Sequence, residues 1–129
     1  MSIRQMRIVG FVVVAAAAVG LLTPTTLMAH HGWEWATDKE FEITGKVADV
    51  SLGNPHGRVT INVDGEEWLV QVGQPWRNQR AGLSNARLQQ GTTITVHGHR
   101  SAREGEHVVK AERVVIDGEN FDLYPDRES

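Results

Sequence analysis

The sequence has no cysteine, so it offers neither a disulfide framework nor a thiolate metal site. Its three methionines, Met1, Met6 and Met28, all lie near the start. The rest of the chain has neither thiol nor thioether. That disfavours soft Cu(I) ligation and leaves imidazole, carboxylate, amine and backbone donors, which suit Cu(II), Zn(II) or Ni(II). A basic excess is also missing. Lys and Arg number 13 against 16 Asp and Glu, a formal charge of −3. Phosphate backbones are held by Lys and Arg in excess, so nucleic acid is not an expected partner. There is no Gly-x-Ser-x-Gly elbow and no glycine-rich phosphate loop. No catalytic residue is therefore assigned, and the chain reads as a binding protein before an enzyme.

The chain opens with Arg4 and Arg7 and no acid before an apolar run over residues 8–22. Thr23-Pro24-Thr25-Thr26 breaks the run, and Leu27-Met28-Ala29 ends it. This basic, apolar, small-residue order predicts a signal peptide over residues 1–29, cut after Ala29. The run is shorter than the ~20 residues that a bilayer-spanning helix needs. The expected address is periplasmic or secreted, with no stable membrane anchor after cleavage. Cleavage would leave 100 residues and a formal charge of −5. That length suits one small domain with a modest core.

The expected divisions are an N-terminal segment over residues 30–39, a β domain over 40–124 and a loose tail over 125–129. Phe41, Ile43, Gly45 and Val47 alternate with polar residues, and the apolar phase then slips to Ala48, Val50 and Leu52. Such a slip predicts a bulge that bends one long strand. Gly53-Asn54-Pro55-His56-Gly57 is turn chemistry, and Asp64-Gly65 predicts a two-residue hairpin. Trp68, Val70 and Val72 alternate on the return strand, which makes Trp68 a core candidate. Pro75 opens a short helix through Arg80 that Gly82 closes, with Trp76 expected to seat it. Ser84 begins a second turn that ends at Gly91. Residues 92–99 and 107–116 read as two further strands, with a short sixth over residues 121–124. The fold class is therefore all-β with minor α: a small OB-like, partly open barrel of five to six antiparallel strands with a helical link. A small antiparallel sandwich is the alternative.

The sequence has six histidines, and all lie beyond Ala29. His30 would begin the mature chain. Its free amine, with an ordinary pKa of about 7.7–8.0, and its own imidazole can chelate one ion. A further imidazole would give the three-nitrogen set of a histidine brace, a likeness of ligands and not of fold. Alternatively, His31 would bind through amine, backbone amide and imidazole. His97 and His99 are two apart on a strand and share a face. If Ile94 and Val96 face the core, both histidines face away from it. His56 sits in a turn that Pro55 and Asn54 shape whatever its ring does. Trp33 and Trp35 are expected to clamp the N-terminal segment onto the barrel, which would hold His30 in place.

His30-His31-Gly32-Trp33, the Asn54-Pro55-His56 turn, Trp68 and His97-Gly98-His99 together resemble an uncharacterised family of small exported proteobacterial proteins. The resemblance covers nearly all of residues 30–124. It implies an exported small β-barrel and implies no activity.

Two expectations follow. The first is binding of a divalent transition metal, copper first and zinc second, through His30, His31, His56, His97 and His99, for sequestration or delivery. The second is a metal-free module that binds an envelope protein, a peptide or a glycan through Trp33, Trp35, Arg58 and Arg100.

Overall fold

A computed structural model describes residues 32–127. His30, His31 and the expected signal peptide lie outside the described residues. Six strands and one helix follow in the order β1 (Phe41–Ser51), β2 (Arg58–Val63), β3 (Glu66–Gln71), α1 (Pro75–Ala81), β4 (Thr93–Arg100), β5 (Val108–Ile116) and β6 (Glu119–Asp122). The sheet runs β3-β2-β1-β4-β5-β6, and β3 also pairs with β5. That last pairing is parallel, through Leu69–Val108, Val70–Val109 and Gln71–Lys110. It closes β1 to β5 into a barrel, and β6 is an extra strand on β5. The closed meander with a helix between its third and fourth strands is an OB-like barrel, as the sequence pattern predicts.

The local chemistry explains the path. Asp64 and Gly65 both take positive φ, 50° and 87°. Two such residues make the turn whose twist matches a hairpin. Asp117 and Gly118 repeat it between β5 and β6, at 51° and 76°. β6 begins two residues before its expected start at Phe121, because that turn ends so tightly. β1 bulges between Val47 and Asp49, which is the predicted slip. The bulge leaves Ala48 exposed, and Val50 is half-buried. Ile43, Val47, Val59, Ile61, Trp68, Val70, Ile94, Val96, Val109 and Val114 fill the barrel. Trp76 departs from expectation. It is 51% exposed, with the Arg77 and Arg80 guanidinium carbons 4.4 and 5.1 Å from its ring centroid. It carries arginines instead of seating the helix.

A second bulge matters more for function. Thr95, Val96 and His97 pair with Val115, Val114 and Arg113, whereas Gly98, His99 and Arg100 pair with Ala111, Lys110 and Val109. Glu112 is the residue left over. Gly98 is required there, because any Cβ would collide with the backbone carbonyl of Lys110. The Glu112 carbonyl accepts the N–H groups of Leu123 at 2.8 Å and Tyr124 at 3.2 Å. Those bonds draw the C-terminal run across this end of the barrel. The N-terminal segment arrives from the other side. Its Thr37 N–H donates to the Arg100 carbonyl at 2.9 Å, and Ala102 N–H donates to the Trp35 carbonyl at 2.8 Å. Between the two coverings, four consecutive residues of β5, Val109 to Glu112, are buried. No helix among the described residues is long and apolar enough to cross a membrane.

Candidate metal centre

The covered end of β4 and β5 is built around Trp33. Its ring meets His99 edge-on with centroids 5.7 Å apart, and Tyr124 at 5.1 Å. The Arg127 guanidinium carbon stands 4.0 Å from the same ring centroid, and Lys110 Nζ stands 5.0 Å from it. The clamp expected of Trp33 is thus realised on named partners, backed by the backbone bonds of Trp35 and Thr37.

Beneath the tryptophan lies a histidine–carboxylate group. One atom each from Glu40, His99 and Glu112 all fall within 4.8 Å of one another, a grouping that could hold a metal ion. His99 Nε2 is 2.8 Å from Glu112 Oε1 and 3.4 Å from Glu40 Oε1. The His99 side chain is 6% exposed and that of Glu112 only 1%, while Glu40 is half open to solvent. Arg127 Nε donates to Glu112 Oε1 at 2.8 Å. Two buried atoms of this group have no partner: His99 Nδ1 and Glu112 Oε2. Buried polar atoms are nearly always satisfied, so these two call for a partner such as a water or an ion. Nitrogen and carboxylate oxygen together suit a borderline divalent ion.

The same end holds an unusual cation. Lys110 is 1% exposed, and its Nζ has an amide oxygen, Gln71 Oε1, at 3.4 Å. Burial, then the charges of Arg77 and Arg127, push its ammonium down to about 8. Burial pushes the Tyr124 hydroxyl up, against the opposing pull of Arg77 and Arg127. His56 belongs to this neighbourhood too: burial, then the charge of Lys110, lowers its imidazole below the ordinary value. The turn that carries His56 is pinned by Gly57, whose N–H donates to the Gly73 carbonyl at 2.9 Å and whose carbonyl accepts from Val72. Asn78 fixes Gly73 through both its N–H and its carbonyl.

The other candidates scatter. His97 is excluded from the three-residue group. It faces Glu42 at 3.8 Å and lines a cavity of about 320 Å³ with Glu40, Phe41 and Glu42. The expectation that His97 and His99 share an outward, exposed face is corrected: the bulge at Gly98 buries His99. His107 stacks on Trp68, centroids 4.6 Å apart and planes 11° apart, with Glu66 at 3.7 Å. Trp35 and Arg58 do meet, in a cavity of about 290 Å³ with Leu69, Gln71, Glu106 and Val108. Arg100 lies over Phe41 and Trp68 instead, and Trp33 packs against His99. Sequence reasoning missed Glu40, Glu112, Lys110 and Arg127. The signal that could have found Glu112 was Gly98, since a glycine inside a strand pattern marks a bulge.

Residues 19–110 match the family of unknown function DUF6152. The chain belongs to that family. The matched stretch includes Glu40 and His99 and ends before Glu112. No curated protein matches the sequence. Among solved structures, the chain is similar to the S. pombe Stn1-Ten1 complex at 14% identity and a TM-score of 0.49, over 60% of this chain and 57% of that one. It is also similar to apo TiaS, a tRNAIle2 agmatidine synthetase, at 16% identity and a TM-score of 0.45, over 60% of this chain and 18% of that one. A TiaS mutant in complex with agmatine gives 14% identity and a TM-score of 0.46, over 70% and 28%. This chain therefore spans less than two thirds of each.

Proposed function

We propose that this protein binds a divalent transition metal ion in the cell envelope, copper first and zinc second, for sequestration or delivery. The observation that carries the proposal is the Glu40–His99–Glu112 group with its two buried, unpartnered atoms. The envelope address rests on the signal-like order of residues 1–29.

The two metals would use the site differently. Glu40, His99 and Glu112 supply one nitrogen and two carboxylates, a set that Zn(II) accepts. Cu(II) favours more nitrogen. Trp33 touches His99, and His31 and His30 precede Gly32 by one and two residues. That is a reach of about 4 and 7 Å along an extended chain. The His30 amine and ring, joined by the His99 imidazole, would give copper three nitrogens. His56, beside Lys110, is the reserve ligand on this side, and His97 is not required.

Titration of Cu(II) and Zn(II) into the chain that starts at His30 tests this. Micromolar or tighter binding of one equivalent is expected for both. One extra residue ahead of His30 should weaken copper by at least tenfold and leave zinc unchanged. Failure of both metals to bind at that level contradicts the proposal. A second reading draws on the Trp35–Arg58 cavity, which fits a small peptide or glycan contact. Binding of an envelope component that persists with metals chelated, and that is lost in Arg58→Ala, would favour it.

A further inference from the structure

We propose that Arg127 is the resident cation of the Glu40–His99–Glu112 group, and that an incoming metal ion displaces it from the cleft beside Trp33. This rests on the metal reading above. Glu112 Oε1 already has two nitrogens against it, His99 Nε2 and Arg127 Nε, each at 2.8 Å. A metal ion held by this carboxylate would face a guanidinium at hydrogen-bond distance, and two cations on one buried carboxylate repel each other strongly. One of them leaves. Arg127 is the partner able to do so: its side chain is 42% exposed, against 1% for Glu112. It holds on through that oxygen and the face of Trp33.

The way in lies against the same residue. A cavity of about 360 Å³ is lined by Trp33, Glu34, Ala36, Thr37, Asp38 and Arg127. Glu34 and Asp38 put two acids on its wall, which favours entry of a cation. Arg127 both lines this cavity and holds Glu112 of the group. Glu112 Oε2, buried and unpartnered, can receive the ion as soon as the guanidinium swings into this space. Loading then exchanges one positive group for another, so the buried carboxylate has a counter-cation both before and after the exchange.

The experiment compares the purified protein with Arg127→Gln, using Zn(II) alone as the probe. Two readouts are taken: Zn(II) affinity by competition with a chelating dye, and the Arg127 side-chain Nε–H resonance in the isotope-labelled native chain. Exchange predicts about tenfold tighter Zn(II) binding in R127Q. It also predicts that the native Nε–H resonance loses its hydrogen-bonded position as Zn(II) is added, in step with occupancy. Zn(II) binding with unchanged or weaker affinity in R127Q, and an Nε–H resonance that stays in place, would overturn the exchange and leave the metal site standing. Absence of Zn(II) binding in both chains would overturn the metal site and the exchange together.

Discussion

His97 and His99 stand two residues apart on one strand, yet they live in different surroundings. Up to His97, β4 and β5 pair in regular register, and His97 meets the exposed Glu42 at 3.8 Å. Beyond it, the extra residue Glu112 breaks the register, and His99 is buried against a carboxylate at 2.8 Å. One inserted residue thus separates a histidine–acid contact open to solvent from a buried histidine–carboxylate group. Exposed pairs of the first kind contribute about 1 kcal/mol or less. Buried groups of the second kind strongly penalise the loss of any partner. The bulge, more than the histidine spacing, makes the site.

The largest break in this comparison should come from Gly98→Ala. Its Cβ would meet the Lys110 backbone carbonyl, which cannot give way as a flexible side chain can. A loss of about 3 kcal/mol or more is expected by chemical denaturation. Thr95→Ala, in the regular half, removes the 2.8 Å hydroxyl contact with Thr44 and should stay within about 1 kcal/mol. Equal losses would show that the bulged end is no more constrained than the rest.

Lys110→Met should have a smaller effect and of opposite sign. The lysine falls from 10.5 in the unfolded chain to about 8 in the folded one. Between those values the unfolded chain binds more protons, so native stability rises with pH across that window. Below pH 8 the buried ammonium opposes folding by roughly 2 kcal/mol, allowing for solvent screening. K110M should therefore be more stable than the native chain by about that amount at pH 7, with the advantage fading towards pH 10.5. Thermal melts across that range check it. A constant difference would mean that the aromatic rings of Trp33 and Tyr124 already compensate the charge.

Much of the barrel was legible in the residues. Period-two alternation marks the strands, Asp64-Gly65 marks the first hairpin, and the phase slip after Val47 marks the first bulge. Trp68 read as core and is core. The site was less legible, because it depends on what covers a strand. Lys110 and Glu112 alternate with Val109 and Ala111, the ordinary signature of a solvent face. They are buried because Trp33, Tyr124 and Arg127 come over them from both ends of the domain. Nothing local to β5 announces that covering. Spacing pairs His99 with His97 on one face, whereas its partners are Glu112 and Glu40. Trp76 misleads in the other direction: an aromatic after Pro75 looks like an anchor, and instead it is exposed, with Arg77 and Arg80 against its ring.

The most direct measurement is the Zn(II) affinity of the native chain beside His99→Gln and His97→Gln. The bulged end predicts one site of micromolar or tighter affinity, lost by a hundredfold or more in H99Q and kept within threefold in H97Q. Equal losses in the two variants, or no Zn(II) binding in the native chain, would contradict a metal centre made by the second bulge.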